Sequence, residues 1–271
     1  MEYLRELADW SELAFAALLL VVLFAAHEAG SLVARRAVHR DEKAPEGVSV
    51  IVGGLLGLLA FVLALTLSYA NARFSERRSG TLQEANAIST AWTRAQAIGH
   101  PRGKEIARLL EEYTSIRQEF VESGRDAARL AALNRTTNAL QSKMTGHLAA
   151  IVQEQPNPVS ASLMASLNET FDAATAERFA YDTGVPPQVL WLLLSLSLLS
   201  VSALGYQLGF VQRRPRILAA ILMLAWTIVI VDILDLASAR IGSFRTNADV
   251  YRWTLQGFSG GVQIPPPPEP K

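Results

Sequence analysis

Four long stretches of the chain consist almost entirely of leucine, alanine, valine and other apolar residues. They span about residues 13–34, 48–72, 187–211 and 217–239. Each reaches the roughly 20 residues that a helix needs to cross a hydrocarbon core about 30 Å thick. Because lipid offers no partners for backbone N–H and C=O groups, the pattern predicts four transmembrane helices.

The region between the second and third apolar stretches, residues 73–185, is polar, but its apolar residues recur every three or four positions. These stripes contain Ile106, Leu109, Leu110, Tyr113, Ile116 and Phe120, then Leu130, Leu133, Leu140, Met144, Leu148 and Ile151, then Val159, Leu163, Leu167 and Phe171. This spacing predicts amphipathic helices, and the glycines and prolines at 99–103, 123–124 and 156–158 predict the breaks between them. We expect about four long helices, the first continuous with the second transmembrane helix, and no strands.

The predicted fold class is therefore all-α. The chain is expected to be an integral membrane protein with four transmembrane helices in two hairpins and a helical soluble domain inserted between them. The expected parts are an N-terminal hairpin at 1–72, the soluble domain at 73–185, a C-terminal hairpin at 186–245 and a tail at 246–271. Four consecutive prolines from Pro265 predict an extended or disordered end.

The first apolar stretch is expected to be retained rather than cleaved as a signal peptide. Glu2, Glu6 and Asp9 precede it, so the basic segment of a signal peptide is missing.

The composition of the chain excludes several kinds of functional site. The formal net charge is zero, so no overall field predicts a nucleic-acid partner. The chain has no cysteine, which excludes disulfides and thiolate catalysis, and its four histidines are far apart in sequence. The sequence carries no P-loop, nucleophile elbow, dinucleotide fingerprint or metalloprotease motif. We expect no cofactor, no metal site and no enzymatic activity, and the lipid bilayer is the first partner.

Two motifs follow the second apolar stretch: YANARFSERR at 69–78 and EANAISTA at 84–91. A third, DILD at 232–235, is followed by Arg240, Gly242 and Arg245. Together they resemble the prokaryotic bestrophin-like family and, more distantly, the bestrophin ion channels. The resemblance implies a pentameric channel for inorganic ions in the inner membrane, with its pore lined by the second transmembrane helix and its soluble domain in the cytoplasm.

By this resemblance the narrow neck of the pore falls on Gly57, Phe61 and Leu65. These residues are four apart and share one helix face, and the two bulky ones could form a hydrophobic constriction that gates by dewetting. Gly57 also belongs to a stripe of small residues, which predicts tight helix packing. Both interpretations stay open for that position.

The charged residues Arg73, Glu76, Arg77 and Arg78 form a collar at the exit of the same helix. They are either a solvated helix face or, in a ring of subunits, a determinant of ion selectivity.

Asp232 and Asp235, three residues apart near the end of the fourth stretch, share a helix face. The first interpretation is pairing with Arg240 or Arg245 at the membrane edge, and the alternative is a cation-attracting ring in a pore. His27 and Glu28 near the end of the first stretch are expected to extend toward Arg35 and Arg36, and a proton relay or a metal site is the alternative.

Two alternatives stay open for the orientation of the chain in the membrane, and two for its function. The predicted hairpin loops hold seven basic residues, and the opposite side holds eight close to the membrane. The positive-inside rule, which weighs short loops most, places the loops in the cytoplasm, whereas the resemblance places the soluble domain there. The function is predicted to be that of an ion channel, and the alternative is a membrane-anchored helical sensor or scaffold without transport.

Overall fold

The computed structural model describes residues 12–37, 47–210, 215–240, 244–263 and 265. Helices account for nearly all of these residues, and no strand occurs among them. The helices are α1 Glu12–Ala37, α2 Val48–Ala97, α3 Pro101–Glu122, α4 Ala127–Glu154, α5 Pro158–Asp182, α6 Pro187–Gly209, α7 Arg216–Ala237 and α8 Asp249–Phe258. The all-α prediction is confirmed. The predicted hairpin loops and the proline-rich end lie largely outside the described residues.

Four helical segments are long and apolar enough to cross a membrane. They lie within Leu13–Arg36, Val48–Ala97, Pro158–Gly209 and Arg216–Ala237. The prediction of four apolar spans is thereby confirmed.

Helix α2 is 50 residues long. At 1.5 Å per residue it measures about 75 Å, more than twice the thickness of a hydrocarbon core. Its charged residues begin at Arg73. The membrane-spanning part of α2 is therefore its apolar N-terminal half. The predicted continuity of the second apolar stretch with the first polar helix is confirmed.

The breaks between the polar helices carry the expected turn chemistry. At the start of α3, His100 Nδ1 accepts a hydrogen bond from the Arg102 backbone N–H at 3.1 Å, and Pro101 occupies the first helical position. At the start of α5, Asn157 and Ser160 form a reciprocal capping box. These contacts satisfy N–H groups that a helix start leaves without partners.

The chain divides into two compact units. Unit 1 comprises the described residues of Met1–Phe74 and Gly184–Phe244, and unit 2 those of Ser75–Thr183 and Arg245–Lys271. Unit 2 includes α8, a helix that the sequence interpretation, which treated 246–271 as a tail, did not anticipate.

In unit 1, glycines let α1 and α6 approach closely. A Cβ atom added to Gly30 would lie 1.9 Å from the Ser202 carbonyl oxygen, and one added to Gly205 would lie 2.0 Å from that of His27. Gly209 contacts α1 one turn further along, at Ser31. The three glycines therefore bring the backbones of α1 and α6 into direct contact.

Candidate functional site

The three neck positions lie together on an exposed face of α2. Phe61 is 61% exposed and Leu65 is 55% exposed, and no atom lies within 4 Å of a Cβ built on Gly57. The opposite face of the helix packs into the core of unit 1. Its buried residues are Val52, Leu59, Leu63, Thr66 and Ala70.

The apolar part of α2 is the least covered of the four spans. Only 17% of its most apolar window is buried within the chain, compared with 28–33% for the other three. The exposed face includes the small residues Gly53, Gly57, Ala60, Ala64 and Ser68. The single chain thus leaves most of this helix available to lipid, to water or to another subunit.

The four collar residues differ in their surroundings. The Arg73 side chain donates from Nε to the Tyr69 hydroxyl at 3.0 Å and lies 5.1 Å from the centre of the tyrosine ring. Glu76 and Arg78 are exposed. Arg77 is only 1% exposed. The collar is therefore not a uniformly solvated helix face.

The two aspartates of α7 are not equally covered. Asp235 is 7% exposed, and both its carboxylate oxygens lie 3.4 Å from the Phe244 backbone nitrogen, which donates to them. Asp232 is half-buried. Pairing with Arg240 or Arg245 stays a prediction.

His27 is 5% exposed and lies within unit 1, and its extension toward Arg35 and Arg36 stays a prediction. Its backbone forms the contact with Gly205. The neighbouring Glu28 side chain is 44% exposed and remains able to reach outward.

The largest group of buried charges lies in unit 2, and the sequence interpretation did not identify it. We call it the buried polar cluster and define it as Thr81 and Glu84 from α2, Arg117 from α3, Glu177 from α5 and Tyr251 from α8. Each of these side chains is at most 1% exposed. Four helices therefore meet at one buried, charged site.

Arg117 holds the two carboxylates of the cluster. Its Nε and one terminal nitrogen donate to the two Glu84 oxygens at 2.7 and 3.0 Å, which is a bidentate pair. The same terminal nitrogen donates to Glu177 Oε2 at 2.6 Å. One guanidinium thus serves two buried carboxylates.

Hydroxyl groups complete the cluster. The Tyr251 hydroxyl donates to Glu84 Oε2 at 2.7 Å and also lies 3.2 Å from Glu177 Oε2. Thr81 Oγ1 lies 2.6 Å from Glu177 Oε1. At the margin, the Tyr113 hydroxyl lies 3.5 Å from Glu84 Oε1 and accepts from Gln141 Nε2 at 3.2 Å.

The two glutamates have opposite pKa shifts. Burial, followed by the charge of Glu84, raises the pKa of Glu177 well above its usual value. Burial alone would raise the pKa of Glu84 too, but the Arg117 charge and hydrogen bonds from Glu177, Arg117 and Tyr251 together lower it. Burial, followed by the charges of both glutamates, raises the pKa of Tyr251, which stays a neutral hydrogen-bond donor.

A signal for this cluster exists in the sequence. Arg117 lies at the helical spacing of the buried stripe that contains Tyr113 and Phe120, and Glu177 continues the stripe that contains Leu163 and Leu167. A charged residue in register with a buried face is costly unless it is paired. Two such residues of opposite sign predict a buried contact.

Comparison with solved structures identifies the fold. One variant of the bacterial bestrophin homologue from Klebsiella pneumoniae matches with a TM-score of 0.69 and 14% identity, over 92% of this chain and 98% of that one. A second variant matches with a TM-score of 0.64 and 16% identity, over 92% and 100%. A structure described as a membrane protein matches with a TM-score of 0.66 and 14% identity, over 89% and 94%.

No protein-family model and no curated protein matches the sequence. The similarity in structure nevertheless extends over nearly the whole of both chains, and it is to bestrophin homologues rather than to enzymes. The resemblance seen in the motifs is confirmed at the level of the fold. With its four apolar helices, this chain is an integral membrane protein with a bestrophin-like fold.

Proposed function

We propose that the chain is one subunit of an oligomeric ion channel, a pentamer by resemblance, whose pore is lined by α2. The observation that carries this proposal is the exposed face of α2 with Gly57, Phe61 and Leu65 one turn apart. In a ring of identical subunits, each such residue is repeated around the symmetry axis. Rings of Phe61 and Leu65 would narrow an axial path and gate it by dewetting.

The small residues beside the neck support an oligomer. Glycine, alanine and serine offer lipid little apolar surface, but they let another helix approach closely. The small residues on the exposed face of α2 therefore suit contact with α2 of a neighbouring subunit.

The charged positions have corresponding roles in this proposal. Arg73, Glu76 and Arg78 form the charged ring at the exit of the pore, and Arg77 is set apart from them by its burial. Asp232 and Asp235 pair with arginines at the membrane edge, with a cation-attracting ring as the alternative.

We also infer the topology and location. The chain forms two transmembrane hairpins with the domain 73–185 inserted between them, in the inner membrane of a bacterium, with that domain in the cytoplasm. The order of the spans along the chain supports this topology, because the polar residues 73–185 separate the four apolar stretches into two pairs.

Conductance measurements test the proposal. Purified protein in planar bilayers should conduct inorganic ions, and Phe61→Ala should increase the unitary conductance because it widens the narrowest ring. Leu218→Ala is the matched control, since Leu218 is an exposed apolar residue of α7 that is 67% exposed. Cross-linking and mass measurement of the same sample should give five subunits.

Silent bilayers with a verified oligomer would refute the channel. They would favour the alternative function, a membrane-anchored sensor or scaffold. The buried polar cluster supports that alternative, since an ionisable site inside a helical unit can respond to its surroundings. Capture of a partner by the silent oligomer would then be the expected result.

A further inference from the structure

The buried polar cluster brings two carboxylates around the same two donors. Arg117 and Tyr251 each lie within hydrogen-bond distance of both Glu84 Oε2 and Glu177 Oε2. Two like charges this close in a water-free site are strongly unfavourable, and such pairs commonly share one proton.

The hydrogen bonds of Thr81 indicate which carboxylate carries the proton. Thr81 Oγ1 lies 2.9 Å from the Arg77 carbonyl oxygen and 2.6 Å from Glu177 Oε1. The threonine hydroxyl has one hydrogen, and the carbonyl oxygen can only accept. If Glu177 Oε1 is protonated, it donates to Thr81, and Thr81 donates to the carbonyl, so that both contacts contain a hydrogen.

Glu84 is the carboxylate that stays ionised. It receives the bidentate pair from Arg117 and a short hydrogen bond from Tyr251. The raised pKa of Glu177 and the lowered pKa of Glu84 agree with this assignment. The charge of Glu177 also acts on Tyr113 of α3, and Arg77 lies one turn before Thr81 on α2.

Helix α8 is attached to unit 2 through this site. The helix has only 10 residues, too few to be stable alone in water, so its structure depends on docking. Tyr251 joins it to both glutamates, and Phe258 stacks on Trp92 with ring centroids 4.6 Å apart. Departure of α8 would expose the glutamates to water.

We propose that Glu177 holds a proton in the folded protein and that this proton makes the docking of α8 pH-dependent. Once α8 leaves, Glu177 is hydrated and its pKa returns toward 4.5, the ordinary value. Because Glu177 has the higher pKa in the docked state, its proton favours docking, whereas below the ordinary value the lowered pKa of Glu84 acts against docking. Docking is therefore strongest near that ordinary value. It weakens as the pH rises toward the raised pKa and then levels off.

Infrared spectroscopy of the full chain in detergent tests the proton directly. At neutral pH the wild-type spectrum should contain the carbonyl stretch of a protonated carboxyl group. Glu177→Gln should remove this band. Glu169→Gln, which changes an exposed residue of the same helix, should leave it in place. Absence of the band from the folded wild-type protein would overturn the proposal, whatever the variants do.

Hydrogen exchange of α8 tests the coupling. Protection factors of Asp249–Phe258 in the wild-type protein and in Glu169→Gln should fall as the pH rises above about 5, by up to about tenfold per unit. In Glu177→Gln, whose amide is neutral at every pH, they should stay constant. The same pH dependence in Glu177→Gln and in the wild-type protein would refute the coupling.

Discussion

Arg117 is the cation that pairs with both buried carboxylates of unit 2. It is 1% exposed and provides the only guanidinium contacts among the hydrogen bonds described for Glu84 and Glu177. A buried carboxylate without a cation pays a large desolvation cost. The intact site contributes only a modest net free energy to folding, but removing one of its charged members lowers the free energy of unfolding strongly.

Replacement of Arg117 by methionine should therefore lower the free energy of unfolding of unit 2 by about 3–5 kcal/mol. Hydrogen exchange of α3 and α5 would measure the change. Arg129→Met is the matched control, because Arg129 is 60% exposed in its pair with Glu119 and should contribute little. Equal effects of the two substitutions would show that the cluster is not a stabilising centre.

The sequence predicted the burial of apolar residues better than the burial of charged residues. Helical period placed Tyr113, Leu140 and Leu163 in the interior, and all three are buried. Arg77 is grouped with its neighbours in a collar predicted to be either a solvated helix face or a determinant of ion selectivity, and it is buried. Apolar periodicity reports which face is covered, whereas the burial of a charge depends on partners that are remote in sequence.

Among the helices of unit 1, α1 and α6 make a close backbone contact. Their backbones meet at Gly30, Gly205 and Gly209 with no room for side chains. In a membrane such packing replaces the hydrophobic effect as the force between helices. These glycines therefore fix the register of the two helices.

Gly205→Ala should destabilise unit 1 by about 1–3 kcal/mol, because its Cβ would overlap the His27 carbonyl oxygen. The thermal unfolding temperature of the detergent-solubilised protein should fall accordingly. Gly146→Ala is the control: that glycine is exposed in α4 with open space around it, and alanine should stabilise the helix slightly. An unfolding temperature unchanged by Gly205→Ala would mean that the two helices can separate at little cost.

Most helices could be predicted because each has a long signal of one kind. The transmembrane helices are continuously apolar, and α3, α4 and α5 have apolar stripes that end at glycine or proline. Helix α8 has only three turns, and its apolar side consists of Tyr251, Leu255 and Phe258. A stripe that short does not stand out from a polar tail, so the sequence interpretation missed both the helix and its contribution to the cluster.

At the scale of the whole molecule, no contact described within the chain determines on which side of the membrane unit 2 lies. Basic residues are nearly balanced between the two sides, and the fold alone does not identify the cytoplasmic side. The chain contains no cysteine, so a single introduced thiol can report the orientation.

Ser115→Cys should resist a membrane-impermeant thiol reagent in intact cells and react after permeabilisation, if unit 2 is cytoplasmic. Ser115 is exposed on α3 and is a better position than Ser123, which is only 8% exposed. Val38→Cys, in the loop predicted to lie on the other side, should react in intact cells. The reverse labelling pattern would place unit 2 outside.

The distance in sequence between members of the buried polar cluster limits the order of events during synthesis. Tyr251 is 167 residues from Glu84, and α6 and α7 lie between them. A chain emerging from the ribosome must deliver both apolar helices before the last hydroxyl of the cluster becomes available. Until then Glu84, Arg117 and Glu177 remain incompletely sealed from water. Completion of unit 2 thus follows the synthesis of α6 and α7, so a nascent chain that stops before residue 251 cannot reach the final hydrogen-bonded state.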